Sequence, residues 1–234
     1  MEYYILVSSI NSKIVGRDFP QAWRFTKEYK KKCKGSNGIY AFAECIFDKK
    51  TRPDFIPDLG GLALSSIAKI TDIISTGVFS ILAMNQRTAD IFSQFNLGDH
   101  EFYKWTLYTK NGEFDYFYLC SFTEIFNSVI IPESIFKMCM ALGSENHALW
   151  LNGFSSYKAY NDFVNKMHSW DKTPVYLSMK EDFDFGLDFF IIDELNVFLG
   201  IISERLKTRL DEEGVTGLEY VPVEIAVKNK SGNN

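Results

Sequence analysis

The residues that most often carry catalysis and metal binding are scarce in this sequence. Its 234 residues include three histidines, His100, His147 and His168, and four cysteines, Cys33, Cys45, Cys120 and Cys139. No Cys-X-X-Cys pair occurs and no histidine stands at ligand spacing from a cysteine, which excludes the usual patterns of a structural zinc site. Cys120 and Cys139 lie in apolar runs, where a free thiol behaves as a small hydrophobe. A serine-nucleophile elbow, G-x-S-x-G, is missing, as is the G-x-G-x-x-G of dinucleotide binding, and Gly60-Gly61 lacks the Lys-Ser/Thr of a phosphate loop. No run of about 18 apolar residues exists, so no membrane span is expected. The opening, Met1 to Val7, lacks the basic and long apolar regions of an export signal, and with unbridged thiols this predicts the cytoplasm.

Positive charge is also short: 25 Lys and Arg stand against 30 Asp and Glu, a formal net charge of −5 and a pI near 5.3. Nucleic acid requires the opposite footprint. The single basic cluster, Lys27, Lys30, Lys31, Lys32 and Lys34, reads as a solvated helix end, where lysines complement the helix dipole. We therefore expect no cofactor, no metal, no nucleic acid and no membrane partner. The sequence does not fix the oligomeric state.

What is abundant is aromatic. The chain has 21 Phe and 12 Tyr within a 46% hydrophobic, 24% charged composition, which supports a ring-rich packed core and leaves rings for a protein interface. Residues 3–8 read as a strand, 19–34 as a helix, 40–47 as a strand and 51–61 as a loop carrying Asp54 and Asp58. Residues 62–74 read as a strand or short helix, 78–84 as a buried strand, and 86–95 as a helix capped by Asn85. The aromatic runs 103–107 and 114–120 flank Asn111-Gly112, a type I′ hairpin signal. Residues 132–142 and 156–169 read as helices, the latter with Tyr160, Phe163, Val164 and Met167 inward; 175–179 and 195–202 read as strands. Ser203 caps a helix to about residue 213, ended by Gly214 and Gly217, and 218–227 read as a closing strand. The fold class is α+β: a mixed, mainly antiparallel sheet with packed helices, in one domain over residues 1–234.

Two segments echo each other. Val78 to Leu82, a polar cap, a helix from Arg87, Asn96-Leu97-Gly98 and Glu101-Phe102 form the first. Val197 to Ile202, Ser203, a helix from Arg205, Val215-Thr216-Gly217 and Glu219-Tyr220 form the second. Both read strand, capped helix, turn, strand. The echo fits a duplication, and equally two ordinary units obeying the same capping and turn rules.

The second segment, Ile201-Ile202-Ser203-Glu204-Arg205-Leu206-Lys207 followed by Glu213-Gly214-Val215-Thr216-Gly217-Leu218-Glu219-Tyr220-Val221-Pro222-Val223, resembles the C-terminal signature of a bacterial polymorphic-toxin immunity superfamily, of the type of immunity families eleven and forty-three. The central stretch with Asp72-Ile73, His100-Glu101-Phe102-Tyr103 and Tyr116-Phe117-Tyr118 is similar too. The resemblance covers roughly residues 54–225 and leaves residues 1–50 unplaced. It implies a non-catalytic inhibitor that binds a cognate bacterial toxin in interbacterial competition. It implies no catalytic residue.

The richest functional feature is acidic. Glu181, Asp182, Asp184, Asp188, Asp193 and Glu194 fall in a stretch without Lys or Arg, interleaved with Phe183, Phe185, Leu187, Phe189 and Phe190. The spacing lacks the glycine and terminal glutamate of a calcium loop. As a binding surface, Glu181, Asp182, Asp184, Asp188, Asp193 and Glu194 would steer a basic toxin while Phe185 supplies an anchor. The plainer alternative is a strand edge whose acids only keep it in water. His100 lies between Asp99 and Glu101, but neighbours on a strand face opposite sides and do not converge on one proton. Two other function classes remain open at this point: a small hydrolase using a carboxylate pair from Asp54, Asp58 or the acidic run, and a non-toxin adaptor.

Overall fold

The structure is a computed structural model that describes residues 2–17, 19–77, 82–139, 149–166, 171–195 and 197–227. Its elements run β1 (Tyr3–Ser8), α1 (Ser12–Val15), β2 (Ala22–Phe25), α2 (Tyr29–Lys32), α3 (Ile39–Ala43) passing into a π-helical turn (Glu44–Asp48), β3 (Leu62–Leu64), β4 (Ile73–Ile74) and β5 (Leu82–Asn85). There follow α4 (Gln86–Phe92), β6 (His100–Thr109), β7 (Gly112–Ser121), β8 (Ile135–Cys139), β9 (Leu149–Leu151), α5 (Tyr157–Lys166), β10 (Asp171–Met179), β11 (Phe189–Ile192), β12 (Val197–Ser203), α6 (Glu204–Glu212) and β13 (Leu218–Val227). The fold is α+β, with two mixed, mostly antiparallel sheets.

The two sheets repeat one plan. One has the order β4-β5-β7-β6-β3-β2, the other β11-β12-β1-β13-β10-β8 with β9 added at its edge. Position by position the directions agree: β6/β3 and β13/β10 are parallel, and every other neighbouring pair in both sheets is antiparallel. In each, a capped helix follows the second strand: Asn85 accepts from Thr88 N before α4, and Ser203 accepts from Leu206 N before α6. The echo therefore extends to the whole topology. The second unit adds β9 to its sheet and carries α5 where the first carries α2 and α3, and the place that β7 takes in the first unit is filled in the second by β1, from the other end of the chain.

A shared core joins the units. Leu82, Met84, Ile91 and Phe92 of the first pack with Phe189, Ile202, Leu206 and Leu210 of the second. Phe92 and Phe189 meet edge to face at 5.8 Å, a favoured ring geometry. Each unit also has its own core, the first around Trp105, Tyr118 and Phe42, the second around Phe136, Tyr160 and Phe190.

Four expected elements are corrected. Residues 62–74 are neither one strand nor a short helix but β3 and β4, which stand apart in the sheet. Residues 19–34 are not one helix but β2 and α2. Gln21, fully buried, ties the chain to the segment 69–75 through Lys69 O at 2.7 Å, Thr71 Oγ1 at 3.0 Å and Ser75 N at 3.1 Å, and this non-local bonding overrides the helical spacing of Ala22, Phe25, Tyr29 and Cys33. Residues 40–47 are helical, because Ile39, Phe42 and Ala43 bury one face at helical spacing. Of residues 132–142, those described, 132–139, are not a helix: Ile131–Glu133 is a 3₁₀ turn and β8 follows, its Phe136 and Met138 fully buried in alternation, while residues 140–142 lie outside the described residues. The strong hairpin is present as β6 and β7, but Thr109 pairs with Gly112, so the turn is Lys110-Asn111, and Gly112 alone there takes a positive φ, 130°. The type I′ expectation placed that turn one residue late. Helix α5, described as far as Lys166, buries Tyr160 and Val164 and leaves Phe163 half-buried; Met167 lies outside the described residues. Val78 to Ile81 and His147 and His168 also lie outside them.

Candidate protein-binding site

Asp188 begins at the foot of β11 and is fully buried. Its Oδ1 accepts from Ser203 Oγ at 2.5 Å and from Arg205 Nε; its Oδ2 accepts from Arg205 Nη2 at 2.6 Å and from Asn96 N at 2.9 Å. Burial pushes its carboxyl upward, yet the bonds from Arg205, Ser203 and Asn96 outweigh that and hold its pKa below the ordinary carboxylate range. The first unit builds the same clamp. Asp72, at the foot of β4, accepts from Asn85 Nδ2 at 2.8 Å, Arg87 Nη2 at 3.0 Å, and Thr216 N and Oγ1 at 2.9 and 2.7 Å. Burial raises this carboxyl and the Thr216, Arg87 and Asn85 bonds lower it further, so its pKa is also depressed. Each aspartate is thus held by its own unit's cap and arginine and by the turn after the other unit's helix. Asn96 follows α4, and Thr216 follows α6.

The clamp on Asp188 fixes the loop of residues 180–188, in which an exposed Lys180 precedes the acids. Gly186 O accepts from Asn96 Nδ2 at 3.0 Å and from Arg205 Nη2 at 3.1 Å. Tyr3 OH donates to Phe185 O at 3.1 Å, and burial, with Asp188 and Asp184 nearby, pushes that phenol up to about 12. Inside the loop, Asp184 Oδ1 accepts from Gly186 N at 2.7 Å, and Leu187 N donates to Asp184 O at 3.2 Å. At its start, Lys180 N donates to Ser128 O at 2.8 Å. Phe183 and Leu187 are buried in the second unit's core, with Phe183 set against Phe190 at 5.4 Å and Phe185 at 4.9 Å. These anchors leave Glu181, Asp182 and Asp184 exposed on a backbone that is already bonded in place, with Phe185 half-buried beside them.

The expected acidic surface therefore divides. Glu181, Asp182 and Asp184 stand together in solvent; Asp188 is interior and cannot face a partner. The stretch has no Lys or Arg of its own, but it is not unpartnered. Arg205 pairs with Asp188, and Lys50, distant in sequence, pairs with Glu194. Of Asp193, the backbone enters a 3₁₀ turn (Asp193–Leu195); its side chain lies outside the described residues. Glu194 sits at the far end of β11, on a pocket of about 200 Å³ between the units. The spacing of Ser203 and Arg205, which also serve as a cap and as the second residue of α6, was the available signal for the Asp188 clamp; nothing local pointed to Lys50.

The other candidates do not converge. His100 Nδ1 lies 2.9 Å from Gly98 O. Its neighbours Asp99 and Glu101 both pair with Arg52, Glu101 at 3.3 Å, and the Arg52 guanidinium holds the Asp99 carboxyl below its usual value. Asp54 is exposed, while Asp58 accepts from Gly60 N at 3.3 Å. Among the described residues no three His, Cys, Asp or Glu side chains are grouped to hold a metal ion, and no helix is long and apolar enough to cross a membrane. No protein-family model matches the chain, and no curated protein sequence matches it.

Proposed function

We propose that the chain is an immunity protein that binds a cognate bacterial toxin in the cytoplasm and neutralises it by stoichiometric occlusion, without chemistry of its own. The observation that carries this reading is the preformed acidic loop. Glu181, Asp182 and Asp184 are exposed on a segment pinned from Tyr3, Asn96, Ser128 and Arg205. A surface already ordered in the free protein loses little conformational freedom on docking, so more of the contact energy appears as affinity. Clustered exposed carboxylates steer a cationic partner and speed encounter. The likeness of residues 201–223 to immunity signatures agrees with this use.

The test is co-expression with the protein encoded by the reading frame immediately beside this gene. The expected result is that growth is lost when that protein is made alone and restored when both are made in comparable amounts, with a stable complex of fixed stoichiometry on purification. Rescue by a trace amount of this chain, or no rescue and no complex, contradicts the proposal.

A further inference from the structure

The pocket between the units is lined by apolar side chains, among them Phe47, Leu119 and Ile191, and by Lys50, Glu124 and Glu194. At about 200 Å³ it is smaller than the roughly 300–1,000 Å³ of sites for drug-sized molecules and cofactors. It suits a side chain. Its wall is continuous with the acidic loop: residues 121–127 line it, and the next residue, Ser128, accepts from Lys180 N at the start of that loop. Thr123 and Leu187 both crowd Gly98, joining the two segments from the other side.

The lining selects the kind of side chain. A lining that mixes apolar side chains with two carboxylates fits a long aliphatic stem with a cationic head. Arginine fits best, because its planar fork meets a carboxylate through two parallel bonds and keeps its charge at any physiological pH. Lys50 already occupies the position such a head would take. Its Nζ pairs with Glu194, and its backbone holds a φ of 51°, the one positive φ of a non-glycine among the described residues. Strained backbone of this kind persists where the surroundings impose it, often at binding sites.

We propose that this pocket receives one arginine of the basic partner, and that Lys50 is an internal placeholder which that arginine displaces from Glu194. The proposal rests on the toxin-binding reading above. The pocket anchors what the acidic loop attracts, so the loop governs the rate of association and the pocket the rate of dissociation.

The experiment measures binding kinetics of the purified product of the adjacent reading frame to five proteins: the native chain, Lys50→Gln, Asn127→Trp, Glu194→Gln and the double variant Asp182→Asn, Asp184→Asn. Asn127 is an exposed pocket residue whose side chain bonds Glu124 at 3.3 Å, so a tryptophan there can cover the opening. Removing the competing cation in Lys50→Gln is expected to tighten binding by about fivefold. Asn127→Trp is expected to weaken it by roughly thirtyfold, mostly through faster dissociation. Glu194→Gln, which changes no volume, is expected to weaken it as well, and stands in should Asn127→Trp fold poorly. If Lys50→Gln binds no tighter and the pocket variants stay within about twofold of native while the acidic-loop variant weakens, the arginine seat is wrong and the toxin-binding reading stands. If the native chain does not bind that product at all, both fall.

Discussion

The two units carry the same aspartate clamp and use it differently. Asp72 and Asp188 each sit at the foot of an outer strand, each meet an arginine at the second position of a capped helix, and each are bonded by a turn from the other unit. The approach to the clamp is what differs. Before Asp72 the chain carries Lys69, Ile70 and Thr71, with Tyr116 OH donating to Thr71 O at 2.5 Å and Ile70 exposed. Before Asp188 it carries the loop with Glu181, Asp182 and Asp184 in solvent. The Asp72 side chain keeps 16% of its exposure and Asp188 keeps 1%. One copy of the device therefore closes the junction between units, and the other also freezes an acidic display.

The largest expected effect follows from that difference in burial. Asp188→Ala leaves the buried Ser203 Oγ, Asn96 N and the half-exposed Arg205 without their shared acceptor, and each buried donor left unsatisfied costs about 1–3 kcal/mol. Asp72→Ala, at the more open clamp, should cost less, about 1–3 kcal/mol. Chemical denaturation of the two variants measures both, and equal losses would break the comparison.

Acid should act on both clamps in one direction. The two carboxyls have folded pKa values below their unfolded ones, so their stabilisation is fully present above the unfolded value of about 3.9 and is lost as pH falls below it toward the folded values. Thermal melts between neutral pH and acid should therefore show a steep loss below about pH 4 that is shallower in Asp188→Asn and Asp72→Asn. A native chain whose melting temperature is flat through that range would contradict the role given to the clamps.

The sequence showed this comparison only in part. Asn85 and Ser203 as caps, the glycine-ended turn after α6 and the β6–β7 hairpin are local features, and local chemistry placed them. The pairings that make the units equivalent are not local. Strand β1 completes the second sheet by pairing with β12 and β13, some two hundred residues away, and no spacing rule reports that. The same blindness affected the site: the acids were visible as a run, but Lys50–Glu194 and Arg205–Asp188 decide which of them face solvent. Residues 19–34 misled because Ala22, Tyr29 and Cys33 are buried at a spacing that suits a helix, although a strand and a short helix bury them equally well.

The smallest expected effect tests the repeat itself. Tyr3 pairs with Val223, and β13 ends at Val227, so β1 could follow β13 through a short hairpin, as β7 follows β6. A permuted chain with residues 2–8 moved behind β13 should fold, with a melting temperature changed by only a few degrees, a shift worth about 1 kcal/mol. Failure to fold would show that β1 is not the equivalent of β7.

If the acidic loop, held rigid by the Asp188 clamp, captures a cationic toxin, Asp182 and Asp184 govern the encounter. Stopped-flow association of the adjacent reading frame's product with the native chain and with Asp182→Asn, Asp184→Asn tests it most directly, across a series of salt concentrations. The variant is expected to keep the native melting temperature, to associate about tenfold more slowly at low salt, and to lose much of the native salt dependence. Equal association rates for the two proteins at every salt concentration would contradict it.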